Sequence, residues 1–428
     1  MEPKSEPHSL DEINAELQGR TSKPSRIRRR SRDQDAVAWL HENWDQLPPK
    51  TAAEIWDDDT RDRLRLMLVP GVGPRTMTAL LDAFGSASEI LSAAAESLSR
   101  VAGVGPKLVS QIKAAKHLGR HDKRSDLDEI ATWCFHHDTR LLVKGHAEYP
   151  TMLDDLPDAP PLLFCRGDVL PSDQLAVAIV GTRHPTPYGK QQAQRFAHAL
   201  AKAGVTVISG LARGIDAAAH EGALDGGGRT IAVLGGGLAE MYPPENGGLA
   251  AAIAADGAVI SEHPPALKPR SSLFPQRNRL VAGLAVATLV IEAPQRSGSL
   301  ITARLCGEMS RDVLALPGNV TSRMSRGCHE LIRDGAILVR HVDDVLESLG
   351  PLRAAVPDTD GESVRHPVEL TLNEIERQVL AAIGTQAVIV DSVIADTGLA
   401  AHQVIATISV LEMRRLVTRV EGQGVRRL

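Results

Sequence analysis

The feature that most restricts the fold is a series of short apolar segments between residues 175 and 339, separated by helical stretches. They are Leu175–Val180, Val205–Ser209, Thr230–Leu234, Ala258–Ser261, Ala287–Ile291, Asp312–Leu316 and Ala336–Val339, with Gly189–Ala203 and Ser299–Met309 among the intervening helices. Strands that are apolar on both faces and reached by helical crossovers pack as a parallel sheet covered on both sides. The expected class is α/β, a doubly wound domain.

That domain leaves much of a 428-residue chain for flanking modules. Residues 1–35 are polar and carry Arg20, Lys23, Arg26, Arg28, Arg29, Arg30 and Arg32 without an intervening acid, which predicts a disordered basic tail, either idle or an electrostatic tether. Residues 36–120 are helical and hold two related punctuations, Pro70-Gly71-Val72-Gly73-Pro74 and Gly103-Val104-Gly105-Pro106. An apolar residue between glycines ahead of a helix is the signature of a helix-hairpin-helix pair, which either contacts a phosphate or simply connects helices. From about 125 to 170, short apolar runs broken by Pro150, Pro157, Pro160 and Pro161 predict edge strands and extended connections rather than long helices. The doubly wound domain is assigned to 125–350 and a Pro/Asp/Gly-bearing linker to 351–368. Residues 369–428 read as three helices and a glycine-tipped hairpin, a winged helix. Its third helix offers His402, Gln403, Thr407 and Arg414, a weakly basic set that suits a protein-docking module better than a duplex reader.

Composition removes several function classes. Lys and Arg total 48 against 53 Asp and Glu, so a polyanion site must be local rather than global. Aromatic residues are 3%, so base stacking can rest on only one or two positions. Cys134, Cys165, Cys306 and Cys328 lie far apart without a CxxC pair, which predicts reduced thiols and neither a disulfide framework nor a metal site. No apolar run approaches the ~18 residues of a membrane helix, and the first residues lack a signal-peptide apolar region. A soluble, cytoplasmic protein with no membrane partner is expected.

In an open parallel sheet, ligands bind beyond the carboxyl ends of the strands. Those ends carry Gly181-Thr182-Arg183, Ser209-Gly210 with Arg213 and Gly214, Gly235-Gly236-Gly237, and Ser297-Gly298-Ser299. Glycine turns, helix starts, hydroxyls and guanidinium groups together predict an anion cradle. No GxxxxGK[ST] motif is present, strand one lacks GxGxxG, and Glu240 follows the Gly235 triplet where a glycine would be needed, so nucleotide-triphosphate and dinucleotide cofactors are not expected. Between Glu262 and Glu292 there is no acid, while Lys268, Arg270, Arg277 and Arg279 supply charge and Phe274 and Asn278 stand among them. Cations with a ring suit a sugar–phosphate polymer. The alternative is that Phe274 is core and the arginines cap a helix. An acid–base enzyme has its own candidates in Asp216 with His220, Glu262 and Glu292. Structural roles account for these acids equally: a helix start for Asp216, ion pairs for the two glutamates.

The central segment resembles the DNA-processing protein A (DprA/Smf) family in Ala178-Ile-Val-Gly-Thr-Arg183, Tyr188-Gly189, Ser209-Gly-Leu-Ala-Arg-Gly-Ile-Asp216 with His220, Tyr242-Pro243, Ser261-Glu262, Phe274-Pro-Gln-Arg-Asn-Arg279, Glu292-Ala293, Ser297-Gly-Ser-Leu-Ile-Thr-Ala303 and Pro317-Gly318. The resemblance implies an extended Rossmann-like domain between a SAM-like helix-hairpin-helix domain and a winged helix. It also implies a cytosolic bacterial protein that binds and protects single-stranded DNA, loads the RecA recombinase in natural transformation and homologous recombination, and forms a homodimer through the central domain. No catalysis, cofactor or metal is implied. The DNA contacts it implies fall on Arg183, Ser209, Gly210, Arg213, Gly214, Phe274, Arg277, Asn278 and Arg279, with Ser297, Gly298 and Ser299 lining the crevice. The loop and strip residues Gly181, Thr182 and Lys268 complete the candidate phosphate-binding set. Departures are Thr182 where serine is commoner in the family, and Cys328-His329 where a small residue and Asn are commoner. The alternative is a nucleotide-hydrolysing enzyme of the lysine-decarboxylase-like branch. Its PGGxGTxxE motif ends in a catalytic Glu, which the Ser297–Arg304 loop does not supply.

Overall fold

A computed structural model describes residues 50–115, 126–349, 356–357, 363–364, 369, 372–384, 386–414, 416–420 and 424–428. The basic tail and most of the linker lie outside the described residues.

The first helices are α1 (Ala52–Ile55), α2 (Asp58–Met67), α3 (Pro74–Phe84), α4 (Ala87–Ser92), α5 (Ala95–Leu98) and α6 (Pro106–Ala115). The two glycine punctuations make equivalent turns. Gly71 and Gly103 have φ of 96° and 83°, a left-handed conformation that side chains resist. Val72 and Val104 donate to the carbonyls of Val69 and Val101, each at 3.0 Å. Proline then opens α3 and α6, where its missing N–H costs nothing. Leu66, Met77, Leu80, Ile90, Leu98 and Ile112 form the core of this unit.

The next segment differs from expectation. It opens with an eleven-residue helix, α7 (Asp126–His136), before strands β1 (Thr139–Val143) and β2 (Leu162–Gly167), of which β1 is the expected edge strand while β2 is paired on both sides. Asp126, Asp128 and Glu129 complement its N-terminus, and Leu127, Ala131 and Cys134 bury one face. The prolines that argued against helix begin only at Pro150.

The central sheet continues through β3 (Ala176–Val180), α8 (Pro187–Lys202), β4 (Thr206–Ser209), α9 (Ile215–Asp225), β5 (Thr230–Val233), α10 (Gly247–Asp256) and β6 (Ala258–Ser261). It then runs through α11 (Leu273–Gly283), β7 (Ala287–Val290), α12 (Ser299–Glu308), β8 (Asp312–Ala315), α13 (Arg326–Arg333), β9 (Ile337–Leu338) and α14 (Val342–Ser348). The nine strands lie in the order β1-β2-β6-β5-β4-β3-β7-β8-β9. From β6 to β9 every pair is parallel, and β2 joins β6 antiparallel. Alternation along β3 explains the two covers. Val177 and Ile179 pack with Phe196 and Leu200 of α8 and Ala218 of α9, whereas Ala178 and Val180 pack with Leu280 and Val281 of α11 and Ala303 of α12. The sheet grows from β3 outward to β6, then restarts on its other side at β7. The switch point therefore lies at β3, where a crevice opens beyond the strand ends.

Within the expected linker, β10 (Val356–Pro357) and β11 (Ser363–Val364) pair as a separate two-stranded ribbon, and the C-terminal module contains α15 (Glu374–Ala381), β12 (Val388–Ile389), α16 (Val390–Thr397), α17 (Ala401–Met413), β13 (Val417–Val420) and β14 (Gly424–Arg427). Asn373 caps α15 in a reciprocal box with Glu376. β14 pairs with both β12 and β13, the sheet of a winged helix. Among the described residues no single helix is long and apolar enough to cross a membrane.

Candidate nucleic-acid interface

A cleft of about 710 Å³ occupies the switch point. Its walls come from the ends of three neighbouring strands: Val180–His184 after β3, Ala212 and Asp216 after β4, and Pro294 with Arg296–Ser299 after β7. Tyr242, Pro269, Ser271, Phe274, Arg277 and Asn278 close the other bank.

The loop after β3 is fixed from behind. Thr182 donates its N–H to the carbonyl of Glu292 at 2.7 Å, and the Glu292 carboxylate accepts from Thr186 N at 2.9 Å and Thr186 Oγ1 at 2.7 Å. This anchorage leaves Arg183 exposed, its guanidinium 5.1 Å from the centre of the Phe274 ring. Tyr242 lies against Phe274 with ring centroids 5.8 Å apart. A cation of the strand-end wall thus meets a pair of rings on the other bank. In the loop after β7, Ser297 and Ser299 share a 2.7 Å hydroxyl contact at the start of α12, and Asn278 donates to the Gly298 carbonyl at 3.2 Å.

Arg277 forms the floor. It is 4% exposed, and a Cβ added to Gly210 would fall 1.3 Å from its Nη1. Glycine at 210 is therefore the space in which the guanidinium lies. Leu211 follows at φ 54°, an uncommon conformation for a branched residue, with its carbonyl held by Asn246 Nδ2 at 2.9 Å. Burial pushes the Asp216 carboxyl up from its ordinary value, and the Arg277 charge opposes that rise. Burial likewise lowers the Arg277 guanidinium, and Arg277 Nε has no hydrogen-bond partner. A buried cation with an unsatisfied donor at the base of an open cleft is suited to an anion.

Nine of the candidate phosphate-binding residues line this cleft: Gly181, Thr182, Arg183, Phe274, Arg277, Asn278, Ser297, Gly298 and Ser299; Asp216, a candidate acid, lines it too. The others lie elsewhere. Ser209 is fully buried and donates to the Ile179 carbonyl at 2.6 Å. Gly210 lies beneath Arg277, and Gly214 beneath the Thr182–Arg183 backbone. Arg213 is ion-paired with Glu245 on the rim, 5.6 Å from the Tyr242 ring. Lys268 is exposed outside the cleft. Arg279 turns inward, bonding Glu262 and lying 3.4 Å from Asp158. The Gly235–Gly237 triplet is covered as well, because a Cβ on Gly237 would meet the carbonyls of Pro264 and Pro265 at 2.1 Å. Tyr242, His184 and Arg296 join the site without having been singled out as site residues; the Tyr242-Pro243 pair of the resemblance was the available signal for the first.

The acids that suggested catalysis are engaged within the protein. Glu292 holds Thr186 and Glu262 holds Arg279, while His220 Nδ1 meets Thr230 Oγ1 at 2.7 Å rather than Asp216. Burial, then the Arg277 charge, pushes the His220 imidazole down to about 3. The four cysteines are unpaired and buried. A second groove, about 390 Å³, lies between the start of α3 (Gly73–Thr76) and Asp158, Glu262, His263, Gln276 and Arg279. Its two carboxylates make it a poor phosphate site.

Three family models match the chain: DNA recombination-mediator protein A over residues 140–350, a SAM-like helix-hairpin-helix tandem over 64–115 and a DprA winged helix domain over 364–423. Protein Smf of Synechocystis sp. is 34% identical over 391 residues, 84% of this chain and 96% of the relative. Protein Smf of Escherichia coli is 36% identical over 304 residues, covering 71% of this chain and 81% of the relative. The solved structure of DNA processing protein A from Streptococcus pneumoniae superposes with a TM-score of 0.59 at 32% identity, covering 67% of this chain and 96% of that one.

Proposed function

The chain belongs to the DNA-processing protein A (DprA/Smf) family, and from that premise we propose that its crevice binds single-stranded DNA without chemical turnover. The bound strand is protected and handed to the RecA recombinase during transformation and recombination, in the cytoplasm, by a homodimer joined through the central domain. The observation that carries the binding reading is the pairing of Arg183, exposed over a Phe274 ring that itself lies against Tyr242, with the buried and incompletely bonded Arg277 below. Rings accept an unstacked base from any sequence, and cations hold the phosphates on either side. A duplex keeps its bases stacked inside and has no face to offer these rings. Engagement of Glu292, Glu262 and His220 within the fold supports binding rather than hydrolysis.

A filter-binding salt titration of the full chain with single-stranded and duplex oligomers tests this reading. Single strands are expected to bind more tightly, with log K falling by about 0.7 per phosphate neutralised for each decade of salt. Equal affinity for both forms, or no binding at low salt, overturns it. Incubation with nucleoside monophosphates is expected to release no base or phosphate.

A further inference from the structure

Beside the crevice lies a cationic turn, Asn319–Arg326, that the proposed site does not use. Two hydrogen bonds weld it to the loop after β7: Ala293 N–H donates to the Met324 carbonyl at 2.7 Å, and Gly327 N–H donates to the Ala293 carbonyl at 2.8 Å. The residues that follow Ala293, Pro294 and Arg296, are already crevice wall. Arg323 and Arg326 each adjoin one of the two welded residues, so their Cα atoms stand about 3.8 Å from them. Both arginines are exposed, and neither has an ion pair among the described residues. The nearby carboxylate of Glu330 accepts from Gln295 Nε2 at 2.6 Å. Exposed arginines farther along differ: Arg304 is 3.5 Å from Glu308 and Arg333 is 3.7 Å from Asp334.

The turn is also preorganised. Asn319 Oδ1 accepts from Thr321 N at 2.9 Å and Thr321 Oγ1 at 2.7 Å, its carbonyl accepts from Ser322 N at 2.9 Å, and Ser322 Oγ accepts from Met324 N at 3.3 Å. Two cations therefore project from a hydrogen-bonded turn. Joined through the two Ala293 bonds to the wall that carries Pro294 and Arg296, they form a second cationic station next to the crevice. A single nucleotide can occupy one station; a strand can occupy both.

We propose that a single-stranded DNA lying in the crevice leaves it across this turn, where Arg323 and Arg326 neutralise its phosphates. This rests on the crevice reading and extends the binding track beyond it. The two stations predict affinity that depends on strand length in a way that only these arginines control.

The test compares thymidylate oligomers of about five and about twenty nucleotides, sizes spanning a single compact site and a longer track. They are titrated with salt against the full-length wild type, an Arg323→Gln/Arg326→Gln double variant and an Arg304→Gln/Arg333→Gln control. The wild type is expected to bind the longer oligomer more tightly. The first double variant should weaken the longer oligomer about tenfold and make its salt slope shallower by about 1.4, two phosphates at about 0.7 each, while leaving the shorter unchanged. Circular dichroism checks that each variant is folded, and the control should match the wild type on both oligomers. Equal losses on both oligomers, no loss on the longer one, or the same loss in the control overturns the proposal. If Arg183→Ala weakens both oligomers while the Arg323/Arg326 variant does nothing, only this extension fails. If the wild type binds neither oligomer, the crevice reading fails with it.

Discussion

At the ends where the parallel strands begin, Arg229 and Arg311 are fully engaged, whereas at the opposite ends Arg213 and Arg279 are paired with Glu245 and Glu262 but three other arginines are not. At the edge where the parallel strands begin, Arg229 donates to both oxygens of Asp173 at 2.8 Å and to the carbonyls of Asp256 and Asp168 at 2.6 Å. Asp173 also accepts from Thr206 Oγ1 and Leu170 N, both at 2.7 Å. Arg311 reaches the carbonyls of Ala282 at 3.0 Å, Ala285 at 2.7 Å and Met152 at 2.9 Å, closing the end of α11. At the opposite edge, Arg183 and Arg296 are exposed without an ion pair among the described residues, and Arg277 is buried with an orphaned Nε. The same side chain is a structural clamp at one edge and, on the proposed reading, a recognition group at the other. Residue type identifies the cation; only geometry separates the two roles.

The largest effect is expected at the clamped edge. Asp173→Ala leaves the Arg229 guanidinium without its carboxylate partner, and removing one member of a buried pair costs about 3–5 kcal/mol. Urea denaturation should show that loss, while DNA affinity of the folded variant stays unchanged; a loss below about 1 kcal/mol would erase the distinction between the edges. At the open edge, Gly210→Ala should cost about 1–3 kcal/mol of stability by overpacking against Arg277, and should weaken DNA binding by displacing it. Arg277→Ala itself leaves buried Asp216 without its main counter-charge. In that background Gly210→Ala should cost little further stability and binding should stay weak, a non-additivity that a double-mutant cycle reads directly. Phe274→Ala should weaken single-strand binding by about 1–3 kcal/mol across all sequences while leaving the fold intact. Unchanged affinity would make the ring a packing element like its neighbours.

A smaller effect belongs to acid stability. His220 and His263 are held neutral by burial, at about 3 and about 4, against an ordinary imidazole value of 6.5. The unfolded chain therefore takes up their protons first as pH falls. Their stabilising contribution is complete above pH 6.5 and declines as pH drops toward the folded values. His220→Gln should flatten the fall by about 1.4 kcal/mol per pH unit in that window. A wild-type stability that stays level from pH 7 down to about 5 would contradict the neutral buried state.

Much of the fold was legible from the sequence because strands apolar on both faces leave few alternatives. β3 to β8 fall within a residue of the expected segments, and the glycine punctuations sit where the hairpin turns are. Helix α7 was not legible because the prolines downstream dominated the reading, although the acids at its start were visible. In the site, loop composition located the crevice but not the direction of each side chain. Arg277 and Arg279 stand two apart on α11, yet one floors the cleft and the other joins Glu262. Gly210 was expected to bring main chain near a ligand, whereas it makes room for a guanidinium. Those outcomes depend on which neighbour fills each space, and that is settled only when the elements pack.

The central claim is that the open edge of the sheet, rather than either flanking module, holds the strand. Photocrosslinking of a halogenated-uracil oligomer to the full chain, followed by peptide mapping, locates the bound bases directly. Crosslinks at Phe274 and Tyr242, lost in Phe274→Ala, are the expected result. Crosslinks confined to the helical hairpins of residues 64–115 or to the winged helix would contradict it.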